Sequence, residues 1–328
     1  MIRVLGVTAT ALGLLFGGYW WAGSAAIGRG AAAVLDDLAA QGWTVRHDPI
    51  DTAGFPARFD LVLTGLDLRD PGDSFGWLMP ELHLLTPSYW PTSVLARLPD
   101  SQTLILPDQR IAVSSSHLQV TLAVQARTSL PLQAITAAVG PLRLSSDLGW
   151  EASLNTASVS FHSVGGRTDQ FDLTIHAQSL ALPDQILDLI NPDRHLPETI
   201  RAMTVAASLT FDRPLDRFAG QSDAPRLTSL TIRKIDIVWG DLGLEATGTL
   251  DIDASGQSRG EIIVAVTNWQ RLIAMVVSAG LLAPGAAPTW ERGLATLARD
   301  DGGLEVPITV RDGFMSLGPI PLGPAPRF

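Results

Sequence analysis

The chain has 328 residues, a net charge of −10, no cysteine, and 46% hydrophobic against 17% charged residues. An acidic surface does not neutralise phosphates, so nucleic acid is excluded as an expected partner, and electrostatic docking on anionic lipid is disfavoured. The lack of cysteine excludes thiol nucleophiles, thiolate zinc sites and lipidation through cysteine, while a body of this size can hold a core without disulfides.

Residues 4–27 contain no charged side chain, Arg3 precedes them and Arg29 follows. A helix over this run, at about 1.5 Å per residue, covers ~36 Å, enough to cross a ~30 Å hydrocarbon core. Tyr19, Trp20 and Trp21 stand towards its far end, where aromatic rings prefer the lipid–water boundary. The expectation is a single transmembrane anchor over 1–27, N-terminus inside, with the body on the far side. Small residues at 22–26 also suit a signal peptidase, so a cleaved leader is the alternative.

A linking helix is expected over 28–42, with Val34, Leu35 and Leu38 on one face and Gly42 as its stop. From Trp43 the period changes to two. Phe59, Leu61 and Leu63 share one face, and Leu66 and Leu68 continue past Gly65 in the opposite phase, which predicts a bulge or bend there. Strand-like runs follow at 77–89, 102–106, 110–113, 118–125, 150–162 and 170–182. Others lie at 201–211, 226–239, 242–252, 260–266, 304–310 and 314–317, with 240–266 reading as one long hairpin. Short helices are predicted at 183–190, opened by Pro183 and Asp184, at 267–282, opened by a Thr267/Gln270 capping box, and at 289–299. The fold class is mainly β with a few helices. Its body, 43–328, is a large curved antiparallel sheet, either an open groove or two packed sheets, with a seam near 183–200.

Candidate chemistry is sparse. The pentapeptide 72–76 has the GxSxG spelling of a hydrolase elbow around Ser74, but it follows Asp70-Pro71 and runs into another strand rather than a helix. It is expected to be a hairpin loop, with a Ser74 hydrolase as the minor alternative. Residues 251–256 open like a calcium loop, yet the twelfth position is Ile262, which favours a polar turn. His47, His83, His117, His162, His176 and His195 have no metal-ligand spacing, although His162 and His176 could meet across a hairpin. Asp36-Asp37 and Asp300-Asp301 read as solvated helix ends. No catalytic residue, metal or cofactor is expected. The tryptophans of the body (Trp43, Trp77, Trp90, Trp150, Trp239, Trp269 and Trp290) fall at element ends, where they fill a core or rim an apolar groove. Trp239, Trp269, Leu272, Ile273 and Val276 are the candidate groove residues. The uncharged run 272–284 is too short to cross a bilayer and is expected as a buried plug helix, the alternative being a helix that touches lipid.

Three stretches carry a resemblance. They are Gly42-Trp43 with Gly54-Phe55-Pro56-Ala57-Arg58-Phe59, the region 77–89, and the ending Arg311-Asp312-Gly313-Phe314 with residues 318–326. Behind an N-terminal anchor, this combination resembles an uncharacterised Gram-negative family, domain of unknown function 2125. More distantly, the anchor-plus-sheet plan and the Gly-rich hairpin are similar to AsmA-like proteins. That likeness implies an inner-membrane protein whose body lies in the periplasm and whose apolar sheet face shields lipid tails. The functional expectation is non-catalytic binding or shielding of acyl chains, or help in envelope biogenesis, with membrane lipids as partners. The alternative is an assembly partner with a closed core that binds another envelope protein through a sheet edge. The oligomeric state is left open.

Overall fold

Alternating side chains with frequent Gly and Pro build the expected β architecture. The computed structural model describes residues 2–219, 224–280, 282–299, 302–318 and 320–328, with side chains from residue 17 onward except at 320 and 321. Leu281, the Asp300-Asp301 pair and Pro319 lie outside the described residues, as do the side chains of 4–16 in the apolar run. The chain divides into two compact units, residues 1–124 with 143–149, and residues 125–142 with 150–328. The seam expected near 183–200 lies inside the second unit.

The first unit opens with helix α1 (Ile2–Ala40). The sequence suggests two segments meeting at 27–28, but the helix is continuous. Its stripe Gly23, Ile27, Ala31 and Leu35, spaced at i+4, packs on the sheet, whereas Val34 is exposed. Gly23 marks the closest approach, since a Cβ there would meet the Phe59 ring at 2.6 Å. Among the described residues no helix is long and apolar enough to cross a membrane.

The strands of this unit are β1 (Thr44–Arg46), β2 (Asp51–Ala53), β3 (Arg58–Arg69), β4 (Gly76–Pro87), β5 (Ser93–Arg97), β6 (Ser101–Leu106), β7 (Gln109–Ser115) and β8 (Leu118–Val124). Strands β1 and β2 pair with the two halves of β3, which pairs along its length with β4. One half of β4 passes to β5 and then β8, the other to β6 and then β7, all antiparallel. Phe59, Leu61, Leu63 and then Leu66 are buried, as the change of phase predicted. Of the two devices expected, a bulge or a bend, the structure has the bend. The register runs unshifted from Thr64 opposite Glu81 to Leu66 opposite Met79. Gly65, at φ +62, instead turns the strand through a conformation that costs glycine little.

Strand β9 (Leu132–Val139) belongs to the second unit, and β10 (Leu142–Ser146) pairs with β7 of the first. The second unit continues with β11 (Glu151–Leu154), β12 (Thr156–Ser163), β13 (Gln170–Ala181), α2 (Asp184–Ile190), β14 (Thr199–Phe211), β15 (Leu227–Trp239), β16 (Leu242–Ile252) and β17 (Ser258–Thr267). It ends with α3 (Trp269–Ser278), α4 (Ala287–Ala295), β18 (Leu304–Arg311), β19 (Phe314–Leu317) and β20 (Ile320–Pro324). From β12 onward each strand pairs with the next to β20, and β9 adds to the outer side of β12, giving one antiparallel ladder. The capping box is replaced. Thr267 is still in the ladder opposite Gly243, and Asn268, left-handed at φ +55, precedes α3 while donating its Nδ2 to the Asp241 carbonyl.

Candidate functional site

Directly opposed residues in an antiparallel ladder project to the same side, so the register defines two faces of the second unit. One line crosses eight strands as Ala137, Val159, Ile175, Val205, Ile235, Ala246, Val264 and Val306. A parallel line runs Ile135, Phe161, Leu173, Ala207 and Ile232. The opposite face, one residue out of step, reads Ala138, Ser158, His176, Thr204, Asp236, Glu245, Ala265 and Glu305. One face is therefore continuously apolar and the other carries the polar side chains.

A bulge in β15 preserves this division. Ala207 faces Ile232 while Ala206 faces Lys234, so Arg233 is the additional residue, and Ile232 and Ile235 keep the same face although they are three apart. Arg233 turns to Asp172, with Nη1 donating to Oδ2 at 2.9 Å, and the Ser208 hydroxyl donates to the other carboxylate oxygen at 2.6 Å.

The apolar face is covered unevenly. Ile135, Val159, Phe161, Leu173, Ile175, Val205, Ile232 and Ile235 are half-buried, while full burial is reached at Phe171, Ala177 and Ala207 on β13 and β14 and at Ala246, Val266, Leu304 and Val306 towards the other end. Near this buried end, α2, α3 and α4 build a core from Leu187, Leu196, Trp239, Leu242, Trp269, Ile273, Met275 and Leu294. Trp239, Trp269 and Ile273, three of the groove residues expected from sequence, are thus core residues, Trp239 at the end of β15 and Trp269 and Ile273 on the inward side of α3. Leu272 packs against the same core, and Val276, also on α3, is half-buried. Trp239 is fixed by its indole Nε1 donating to the Pro197 carbonyl at 2.6 Å.

Next to this core lies an apolar cavity of about 560 Å³ lined by Thr289, Trp290, Gly293, Leu294, Leu297, Pro307, Leu317 and Gly318. Its size falls in the range of small-molecule sites, and among the described residues its polar groups are the Thr289 hydroxyl and the Trp290 indole N–H. Leu297 stands at its edge, 52% exposed. With no titratable group among the described lining residues, the cavity suits a flexible hydrocarbon, each buried methylene contributing about 0.8 kcal/mol. Trp290 was legible as a groove-rim candidate; Leu297 follows α4 and Pro307 and Leu317 lie on β18 and β19, and their meeting depends on packing between elements that no single segment displays.

The other candidates are placed as follows. Ser74 lies in the turn between β3 and β4, where its hydroxyl donates to Asp70 at 2.7 Å. The Phe75 and Gly72 amides donate to the same carboxylate at 2.6 and 3.1 Å. The Ser74 hydroxyl first, then the Phe75 amide, hold the Asp70 pKa below the ordinary carboxylate value. A folded pKa below the unfolded one stabilises the turn above roughly pH 4 and is lost as pH falls through the folded value. The Phe75 amide resonance is therefore expected to stay constant through neutral pH and move only below about pH 4, and Asp70→Asn to abolish that movement.

Asp253 closes the 253–258 turn likewise, accepting from the Ser255 hydroxyl at 2.6 Å and the Gln257 amide at 3.0 Å. His162 and His176 do not meet: His162 is opposite Asp172, and His176 is opposite Ser158 with Nδ1 3.1 Å from the Thr204 hydroxyl. Among the described residues no three His, Asp or Glu side chains gather as a metal site. Of the N-terminal aromatics, Tyr19 and Trp20 contact the sheet through Phe59, at ring-centroid distances of 6.4 and 6.0 Å, while Trp21 is 72% exposed.

Fold and site define an antiparallel β protein with a two-faced ladder, its apolar side capped by helices at one end. The family model described as "Uncharacterized protein conserved in bacteria (DUF2125)" matches residues 20–326, and the chain belongs to that family. No curated protein and no solved structure matches it.

Proposed function

We propose that this protein is a membrane-anchored, non-catalytic binder of lipid acyl chains, with its body in the periplasm. The observation that carries the reading is the line of apolar residues across eight strands, half-buried from β9 to β15, backed by a polar opposite face. A sheet face of this kind is stable in water when something apolar rests on it, and hydrocarbon matches a lining free of hydrogen-bonding groups. The apolar cavity beside α4 offers a second place for a chain end. The sequence of residues 2–18, with Arg3 as the one charge, supplies the tether; at about 1.5 Å per residue it spans ~26 Å, near the lower limit for a crossing helix.

Native mass spectrometry of the full chain tests the binding. The wild type is expected to retain an acyl lipid after release from detergent, and Leu297→Asp, at the exposed cavity edge, to retain at least tenfold less without a change in melting. A wild type that emerges free of lipid contradicts the proposal and favours a closed-core assembly partner.

A further inference from the structure

Where α1 leaves the first sheet, the body has its own group of exposed aromatic side chains. Phe55 in the β2–β3 loop and Tyr89 and Trp90 in the β4–β5 loop are 59%, 81% and 60% exposed, and Trp21 on the helix is 72% exposed. The two loops are neighbours: Arg58 is opposite Pro87, and buried Ser88 donates its backbone amide to the Ala57 carbonyl and its hydroxyl to the carbonyls of Pro56 and Ala57. The helix is fastened to both. The Tyr19 hydroxyl donates to the Ser88 carbonyl at 2.6 Å, and Trp20 Nε1 donates to the Arg58 carbonyl at 2.8 Å. Trp20 also meets Phe55 edge-on at 5.4 Å.

We infer that these loops form a second membrane contact, in which Phe55, Tyr89 and Trp90 enter the headgroup–acyl boundary of the bilayer that holds residues 2–18. The inference rests on the membrane reading proposed above. Three features select a lipid surface as the occupant. The aromatics surround the point from which an uncharged helical segment departs, so any bilayer holding that segment meets these loops first. The exposed side chains are of the types that favour the interface, apolar in body with polar tips on Tyr89 and Trp90. Residues 54–59 and 86–98 contain no carboxylate in a chain of net charge −10; their charges are Arg97 and Arg58, and Asp60, the nearest acid in sequence, is paired with Arg58 at 3.6 Å. Hydrogen bonds from Tyr19 and Trp20 fix the helix to the loops, and the contact therefore sets the orientation of the first unit against the membrane as well as its depth.

The chain has no cysteine, so single labels are clean. An environment-sensitive fluorophore is placed on Ala57→Cys in the contact, on Leu148→Cys as a solvent control, and on Ala11→Cys in the tether, each in the full chain in phosphatidylcholine vesicles carrying brominated acyl chains. The inference expects quenching at 11 and 57 several-fold above that at 148, with quenching at 57 falling to the control level when Tyr89→Ser and Trp90→Ser are added. Quenching at 11 but not at 57 overturns the membrane contact and leaves the tether standing. Quenching at neither position overturns both. Quenching at 57 that survives the double substitution assigns the depth to the tether alone and also overturns the inference.

Discussion

Val205→Asp is expected to leave the protein folded while lowering its affinity for acyl chains about a hundredfold. Val205 lies mid-ladder, opposite Ile175 on β13 and Ile235 on β15, and is half-buried. On an uncovered face its carboxylate keeps water in the unliganded protein, so unfolding changes little. A bound acyl chain removes that water, and burying the charge without a partner costs about 3 kcal/mol, which is roughly a hundredfold in affinity. Denaturant unfolding and displacement of a fluorescent fatty acid read the two effects separately. Ser158→Asp, on the polar face opposite Ala138 and His176, is expected to change neither. Loss of folding in Val205→Asp alone would mean that the face is a closed core.

The second large effect is on stability. Gly248→Ala is expected to destabilise the second unit by about 3 kcal/mol, because the backbone that the methyl would meet cannot yield. A Cβ at Gly248 would lie 2.7 Å from the Ile262 Cα and closer still to the Glu261 carbonyl oxygen, both across the hairpin of β16 and β17. Gly260 has the matching restriction against the backbone of Thr249 and Leu250, so two glycines on facing strands permit one close approach. Gly30→Ala, in α1 with nothing within 4 Å of its Cβ, is the contrasting case and is expected to be neutral or slightly stabilising. Urea midpoints, followed by a probe in each unit, measure both.

The hairpin of β16 and β17 was legible because the alternation along β16 is strict and Gly240 and Asp253 stand at its two ends; β16 has the bounds the alternation predicts. Leu132–Val139 was missed, since LQAITAAV mixes helix-forming alanines with a broken alternation, and it is a strand because β12 supplies its ladder. The single helix through Gly28-Arg29-Gly30 was also missed: local propensity argues for a break, and packing of Ile27, Ala31 and Leu35 on the first sheet overrides it. The candidate site was half legible. Apolar alternation in each strand is visible in the residues, but the alignment of Val159, Ile175, Val205 and Ile235 into one line requires the register, which lies in pairings remote in sequence. Trp239 and Trp269 are large aromatics that suit either a groove or a core, and the packing of α2, α3 and α4 around them decides for the core.

Photo-crosslinking of the full chain in bilayers containing a phospholipid with a diazirine at its acyl terminus tests acyl binding most directly. Peptide mapping is expected to place label on the apolar strands 159–175 and 205–235 and on the cavity segment 289–297, with the strand label lost in Val205→Asp. Label confined to residues 2–21, with none on the ladder or the cavity, would contradict acyl binding by the body.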